Sequence, residues 1–494
     1  MDVPCCTALN PIRETKVNDG ERLTFEKSML QPAVAMKVGV LFSGGPAPGG
    51  HAFLYGLGKA LFEIHDKIEL LGFLEGAKGL IGCNFMKLDM KTLAAYESLG
   101  GFHLLGTSRK KIEDPDDFAK IEEVILKLGL SAIVFVGGDD THTNAYHLGK
   151  YLEKKMLPTT IVAAPKTIDG DVKSQDIKQS FGFDTATRVY SELIGNLGTD
   201  LLSTKKYWHF VRLMGRKASH VTLECALQTE PNLALISEEV EREKMTLNSL
   251  VDHIVELVIE RKKVKKPYGL VLIPEGLIEF IPEMKELLGE LNRLLAAGKD
   301  AASLSEKSRA VFDLLPPAFQ RELQSERDSH GNIGLSHIKT EELLKEIVME
   351  RLTREGQNGE ISILGHFYGY EGRCSPPSDF DRIYCTNLGR VAAALVYHRK
   401  SLTVAALDRL EESPVNWQPV GAFMEKAMGV EMRSGKEKRV VQKALVDLKG
   451  KPFQHFASKR KQARLADRYS APGPMQLGFF SKVQITKTLE LELQ

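Results

Sequence analysis

Two carboxylates, a lysine, a hydroxyl and a glycine fall within seven residues, Pro165-Lys166-Thr167-Ile168-Asp169-Gly170-Asp171. Carboxylates one residue apart could divide two tasks beside a phosphate, one accepting a proton and the other standing near a metal-bound oxygen. Asp and Gly also favour turns for local hydrogen-bonding reasons, so this window alone would favour a capping turn. Its neighbours reverse that. Gly137-Gly138-Asp139-Asp140 repeats the theme, with glycines that let backbone approach a ligand and a carboxylate that is costly beside phosphate unless a cation lies between. Asp139 therefore implies Mg²⁺, although either Asp139 or Asp140 could instead cap the helix that follows. A third loop, Ser43-Gly44-Gly45-Pro46-Ala47-Pro48-Gly49-Gly50, lacks the Gly-Lys-Ser/Thr of a Walker loop but precedes a helical stretch to about Ile64, so its N–H groups suit a phosphate.

Each of these loops follows an apolar run that reads as a buried strand: Lys37 to Phe42, Ser131 to Val136 and Thr159 to Ala164. Strand, glycine loop, helix is the grammar of open α/β sheets, whose ligands bind at the carboxyl ends of the strands. Further strands are expected at Ile68 to Phe73, Lys206 to Leu213 and Tyr268 to Ile273, with Arg109 of Gly106-Thr107-Ser108-Arg109 as a candidate phosphate ligand and Glu275 placed to meet sugar hydroxyls. Trp208 and Phe210 read as core, Cys225 as a buried small hydrophobe, and His51, His103 and His366 as structural histidines. From about Glu283 to Arg354 the pattern turns charged and helical around a polar hinge near His330-Gly331-Asn332, which predicts an inserted helical subdomain.

With 494 residues, 43% of them hydrophobic and 27% charged, the chain reads as a globular protein of two or three domains. A net charge of +1 offers no general attraction to nucleic acid or anionic membrane, and Lys459-Arg460-Lys461 lacks the aromatic interleaving of a nucleic-acid surface. Any anion site must be built locally. Six cysteines without CxxC spacing fit a reducing cytoplasm, and no apolar run reaches membrane-spanning length.

The combination of the Gly44 loop, Gly137-Gly138-Asp139-Asp140, the 165–171 loop, Gly182-Phe183-Asp184-Thr185, Met214-Gly215-Arg216, Pro274-Glu275-Gly276 and Gly369-Tyr370-Glu371-Gly372-Arg373 resembles the phosphofructokinase family over nearly the whole chain. Asp140 and Lys166 stand where ATP-dependent members usually have glycine, which resembles the long pyrophosphate-dependent branch. The resemblance implies reversible phosphoryl transfer from pyrophosphate to the 1-hydroxyl of fructose 6-phosphate, a step of glycolysis and gluconeogenesis. The alternatives are an ATP-dependent enzyme and a non-catalytic regulatory subunit.

Carried over residue by residue, the resemblance makes Asp169 the base, Lys166 and Asp140 its catalytic companions, Asp139 the Mg²⁺ site, and Gly44, Gly138 and Arg109 the donor contacts. Thr167, Ile168, Asp171, Met214, Gly215, Arg216, Glu275, Tyr370, Glu371, Gly372 and Arg373 would line the sugar-phosphate site. Lys206 and Tyr207 would reach it across a subunit interface, which implies a homo-oligomer, a dimer or larger. Pro46, Ala52 and His142 depart from the family's usual polar residues near the donor. The implied architecture is α/β, with two Rossmann-like domains of parallel-rich sheets: an arm over 1–35, a donor domain over 36–200, a sugar domain over 201–430 carrying the helical insertion at 283–354, and a C-terminal extension over 431–494.

Overall fold

The computed structural model describes residues 3–325, 338–357, 359, 361–433, 436–441, 443–473 and 485–494. The expected hinge at His330-Gly331-Asn332 lies outside them. The chain forms two compact units, one built from the described residues of Met1–Ala186, Tyr370–Ala444 and Met475–Leu493, the other from those of Thr187–Gly369 and Leu445–Pro474.

In the first unit the described strands are β1 Thr15–Asn18, β2 Leu23–Lys27, β3 Lys37–Phe42, β4 Glu69–Phe73, β5 Phe85–Leu88, β6 Ala132–Gly137 and β7 Thr160–Pro165, joined in one sheet by two later strands. Runs such as Ala-Ile-Val-Phe-Val-Gly are buried at every position, as a parallel sheet covered on both faces demands. Neighbouring β7, β6 and β3 run parallel, with Gly137 opposite Pro165 and Phe42 opposite Val136, so the three loops singled out by sequence leave one edge together. The strand order runs …β7-β6-β3-β4…, so the chain reverses direction across the sheet between β3 and β6, where such sheets open a ligand crevice.

The second unit's described sheet holds β8 Trp208–Leu213, β9 Leu233–Ala234, β10 Gly269–Pro274 and β11 Ile363–Tyr368, all parallel in the order β11-β8-β10-β9. Leu213 lies opposite both Pro274 and Tyr368, which puts Met214 and Glu275 at one edge. Trp208, Phe210 and Cys225 are fully buried, as expected. The helices Pro282–Ala296, Glu306–Asp313, Pro317–Ser325 and Thr340–Arg354 do not stand apart as an inserted subdomain. Leu287, Leu291, Phe312, Phe319 and Val348 pack in one core with Leu250, Ile254, Phe210 and Val271.

The linear domain scheme gives way to this partition. Strand β12 Thr403–Asp408 pairs with β7, Thr403 opposite Val162, and β13 Gln418–Phe423 pairs with β12 and then β2. Residues expected in the sugar domain thus complete the first unit's sheet, and the arm of 1–35 supplies its far edge. A free edge beside β7 must be paired, and apolar alternation cannot say which distant strand pairs it. Strands β14 Met428–Arg433 and β15 Lys436–Val441 form an antiparallel hairpin in the same unit. Among the described residues no helix is long and apolar enough to cross a membrane.

A buried clasp anchors the sheet edge. Asp381 accepts hydrogen bonds from Gly182 N, 2.9 Å, and from Thr185 N and Oγ1, 2.9 and 2.5 Å, while Ser378 Oγ donates to Asp184 at 2.7 Å. Gly182, at φ +92, is wedged where a Cβ would meet Ala47, Pro48 and Ile168, between the Gly44 loop and the 165–171 loop. Burial, reinforced by Asp184, pushes the Asp381 carboxyl up to about 7. Asp381→Asn should lower unfolding stability by about 1–3 kcal/mol, because its amide NH₂ would face buried N–H donors and leave one unpaired. Urea denaturation checks this; unchanged stability would remove the clasp as an anchor.

Candidate active site

The start of the 165–171 loop is fixed by backbone. Lys166 N donates to Gly137 O at 3.0 Å and Phe181 N to Pro165 O at 3.2 Å. Ser180 Oγ donates to Thr167 O at 3.0 Å, and Thr167 Oγ1 accepts from Asp169 N at 3.1 Å, closing a local turn that Gly170 completes at φ +72. Ile168 turns inward against Gly182, so its side chain is core. Asp169 is half-buried.

The Lys166 side chain, only 5% exposed, runs beneath the glycine loop, where Nζ donates to Gly45 O at 2.7 Å. Burial first, and the Arg373 guanidinium next, hold its ammonium down at about 7, against the opposing pull of Asp169 and Asp139. A Cβ at Gly45 would stand 2.1 Å from Arg373 Nη1. Arg373 Nε is buried and has no hydrogen-bond partner among the described residues. Two cations thus converge on Gly44 and Gly45, one with an unspent donor. That arrangement suits an anion with several oxygens.

Asp139 and Asp140 occupy the first turn of helix Asp139–Lys154, but its N-cap is Gly138, so neither carboxylate is the cap; both add negative charge at the helix's positive end. Asp140 is exposed and Asp139 half-buried. Asp139 and the buried Asp171 share one cation: Lys443 Nζ lies 3.4 Å from Asp139 and 3.2 Å from Asp171. Burial and the charge of Asp169 raise the Asp171 carboxyl, with Lys443 opposing. Burial works against the Lys443 ammonium, yet Asp171 and Asp139 outweigh it and the group is raised. Among the described residues no group of three or more His, Cys, Asp or Glu side chains is disposed to hold a metal.

Arg109 is exposed, but its loop is tied to the Gly44 loop through Gly44 N to Ser108 O, 3.0 Å, and Thr107 Oγ1 to Gly44 O, 2.7 Å. His142 is buried with Nε2 3.2 Å from Ala164 O, so it ties its helix to β7 rather than facing a donor.

In the second unit, Gly215 N donates to Glu275 Oε2 at 3.1 Å and Met214 N to Tyr368 O at 3.2 Å. Gly276 is required here: a Cβ would lie 1.8 Å from Arg216 O. Met214, Gly215, Arg216 and Glu275 are therefore brought together. Lys206 and Tyr207 are not, because they precede β8 whereas Met214 follows it; six residues of strand put about 20 Å between them. Both are exposed. Tyr370, Glu371, Gly372 and Arg373 lie on the short helix Tyr370–Cys374 of the first unit, with Tyr370 70% exposed and Arg373 turned to Gly45. Sequence reasoning missed Lys443, which has no local motif to mark it.

The family model described as "Phosphofructokinase" matches residues 37–396. The chain is 44% identical over 471 residues to pyrophosphate–fructose 6-phosphate 1-phosphotransferase subunit beta 1 of Arabidopsis thaliana, covering 93% of this chain and 83% of the relative. It is 43% identical over 460 residues to pyrophosphate–fructose 6-phosphate 1-phosphotransferase of Treponema pallidum, covering 89% and 80%. Its fold is similar to the crystal structure of a pyrophosphate-dependent phosphofructokinase from Marinobacter aquaeolei, with TM-score 0.59 at 15% identity over 91% of this chain and all of that one. With three phosphate-type loops on one sheet edge and this likeness along its length, the chain belongs to the phosphofructokinase family.

Proposed function

We propose that the protein transfers a phosphoryl group reversibly between pyrophosphate and the 1-hydroxyl of fructose 6-phosphate, yielding fructose 1,6-bisphosphate and phosphate. The observation that carries this reading is the convergence of Lys166 and Arg373 on the Gly44–Gly45 backbone beside the loop of Asp169. Phosphoryl transfer asks mainly for positioning and charge neutralisation, which this arrangement supplies. Asp169 takes the proton from the attacking hydroxyl, and Lys166 neutralises charge on the transferring group. Gly44, Gly138 and Arg109 hold the donor. Arg373, lying against Gly45, contributes to the phosphoryl side as well as to the sugar phosphate that the family resemblance assigns it.

Met214, Gly215, Arg216, Glu275 and Tyr370 hold fructose 6-phosphate, with Thr167, Asp171, Glu371 and Gly372 alongside; Ile168, being core, offers backbone only. Mg²⁺ would be held by Asp139 and Asp171, whose paired carboxylates already share a cation, and it would supply charge neutralisation to the donor oxygens. Asp140 disfavours the extra phosphate of ATP, but as an exposed charge it contributes about 1 kcal/mol at 4 Å in water-like surroundings, so Lys166 carries much of the donor preference. Free thiols at all six cysteines fit a cytoplasmic setting. An enzyme assay with pyrophosphate and ATP in parallel, each with fructose 6-phosphate and Mg²⁺, tests the reading: turnover with pyrophosphate is expected, and turnover with ATP alone would overturn it.

Asp169→Ala should reduce kcat by about 10²–10⁴-fold while the folded protein still binds fructose 6-phosphate by calorimetry. Turnover near wild type would move the base elsewhere. Lys166 is charged below its pKa of about 7, so kcat/KM for pyrophosphate should fall as pH rises through 7. In kcat that limb should shift to higher pH, because bound pyrophosphate favours the ammonium; Lys166→Arg, always charged, should lose the limb, and its persistence would assign it to another group.

We further propose a homo-oligomer with shared sites. What supports it is that Lys206 and Tyr207 are exposed at the opposite end of β8 from Met214, so they would serve a partner's site. Asp169→Ala and Lys206→Ala proteins, refolded together, should regain roughly a quarter of wild-type activity if the oligomer is a dimer, since a mixed dimer then holds one intact site. No recovery in mixed oligomers would place all site residues within one chain.

A further inference from the structure

We propose that Lys443 is a tethered counter-ion: in the free protein its ammonium holds the cation position between Asp139 and Asp171, and a divalent cation must displace it. The inference deepens the functional reading above and rests on it for the metal. Lys443 follows the β14–β15 hairpin and is locked in by backbone, since Ala444 N donates to Asp171 O at 2.8 Å. Its Nζ bridges the two carboxylates at 3.4 and 3.2 Å, and its side chain is 29% exposed, against 19% for Asp139 and 4% for Asp171. Two carboxylates this enclosed repel each other unless a cation lies between them.

An ammonium at the end of a flexible four-carbon stem is a point charge that can leave without unfolding its support. A metal ion bound to the same oxygens cannot coexist with it. The two cations therefore compete, and by linkage whatever lowers the affinity of one raises that of the other. The consequence is that the acid pair stays neutralised without metal, and that metal entry loosens the segment carrying Lys443 and Ala444. The hairpin end becomes a strap responsive to the metal.

The test is direct binding of Mg²⁺ by calorimetry, and of Mn²⁺ by electron paramagnetic resonance, to the full chain without pyrophosphate or sugar. Lys443→Met, which keeps the stem and removes the charge, should bind Mg²⁺ at least about tenfold more tightly than wild type, the change a single competing interaction of ordinary strength produces. Lys443→Arg, which keeps the charge, should stay close to wild type. If the Met variant is poorly folded by circular dichroism, Lys443→Gln takes its place. In wild type, saturating Mg²⁺ should also speed hydrogen exchange at the Ala444 amide. Equal or weaker metal binding by the charge-removed variant, or an Ala444 amide indifferent to Mg²⁺, would overturn the proposal. Neither result touches the functional reading, which fails only if wild type does not use pyrophosphate.

Discussion

Charge balance at the carboxyl edge of the first sheet governs this molecule. Asp139, Asp169 and Asp171 bring three carboxylates to an edge where Lys166, Arg373 and Lys443 bring three cations, in partly or fully buried surroundings. Each sign makes the other tolerable: burial pushes the Lys166 ammonium down and the Asp171 carboxyl up, while Asp169 and Asp139 oppose the first shift and Lys443 the second. A site so poised accepts an anion carrying its own counter-ion with little rearrangement, which is what moving a phosphoryl group requires.

The sheet makes that balance possible. Parallel β3, β6 and β7 deliver three loops to one edge, and the reversal of strand order between β3 and β6 leaves room above them. Gly182, pinned by the Asp381 clasp, sets the spacing between two of those loops. The second unit repeats the device with β8, β10 and β11, where Gly215 and Gly276 let Glu275 meet the turn after β8. In both units the chemistry lies on short loops while long apolar strands supply rigidity.

Much of this was legible in the residues. Continuous apolar runs announced the buried parallel strands, and glycines with carboxylates just after them announced the binding edge. What was not legible depends on contacts distant in sequence. That Thr403–Asp408 and Gln418–Phe423 would finish the first sheet depends on which free edge needed pairing. That the helices after Glu283 would share the second unit's core depends on packing, not period. Ile168 turns inward because the local turn at Thr167 reverses its side, and Arg373 reaches Gly45 through tertiary placement alone. Lys443, just past the hairpin, carried no signal at all.

Pyrophosphate as the phosphoryl donor is the central claim, and the reverse reaction addresses it most directly. Phosphorus NMR of the wild-type protein with Mg²⁺, fructose 1,6-bisphosphate and inorganic phosphate should show a growing pyrophosphate resonance together with fructose 6-phosphate. Absence of pyrophosphate under these conditions, while the same protein converts fructose 1,6-bisphosphate and ADP to ATP, would contradict it.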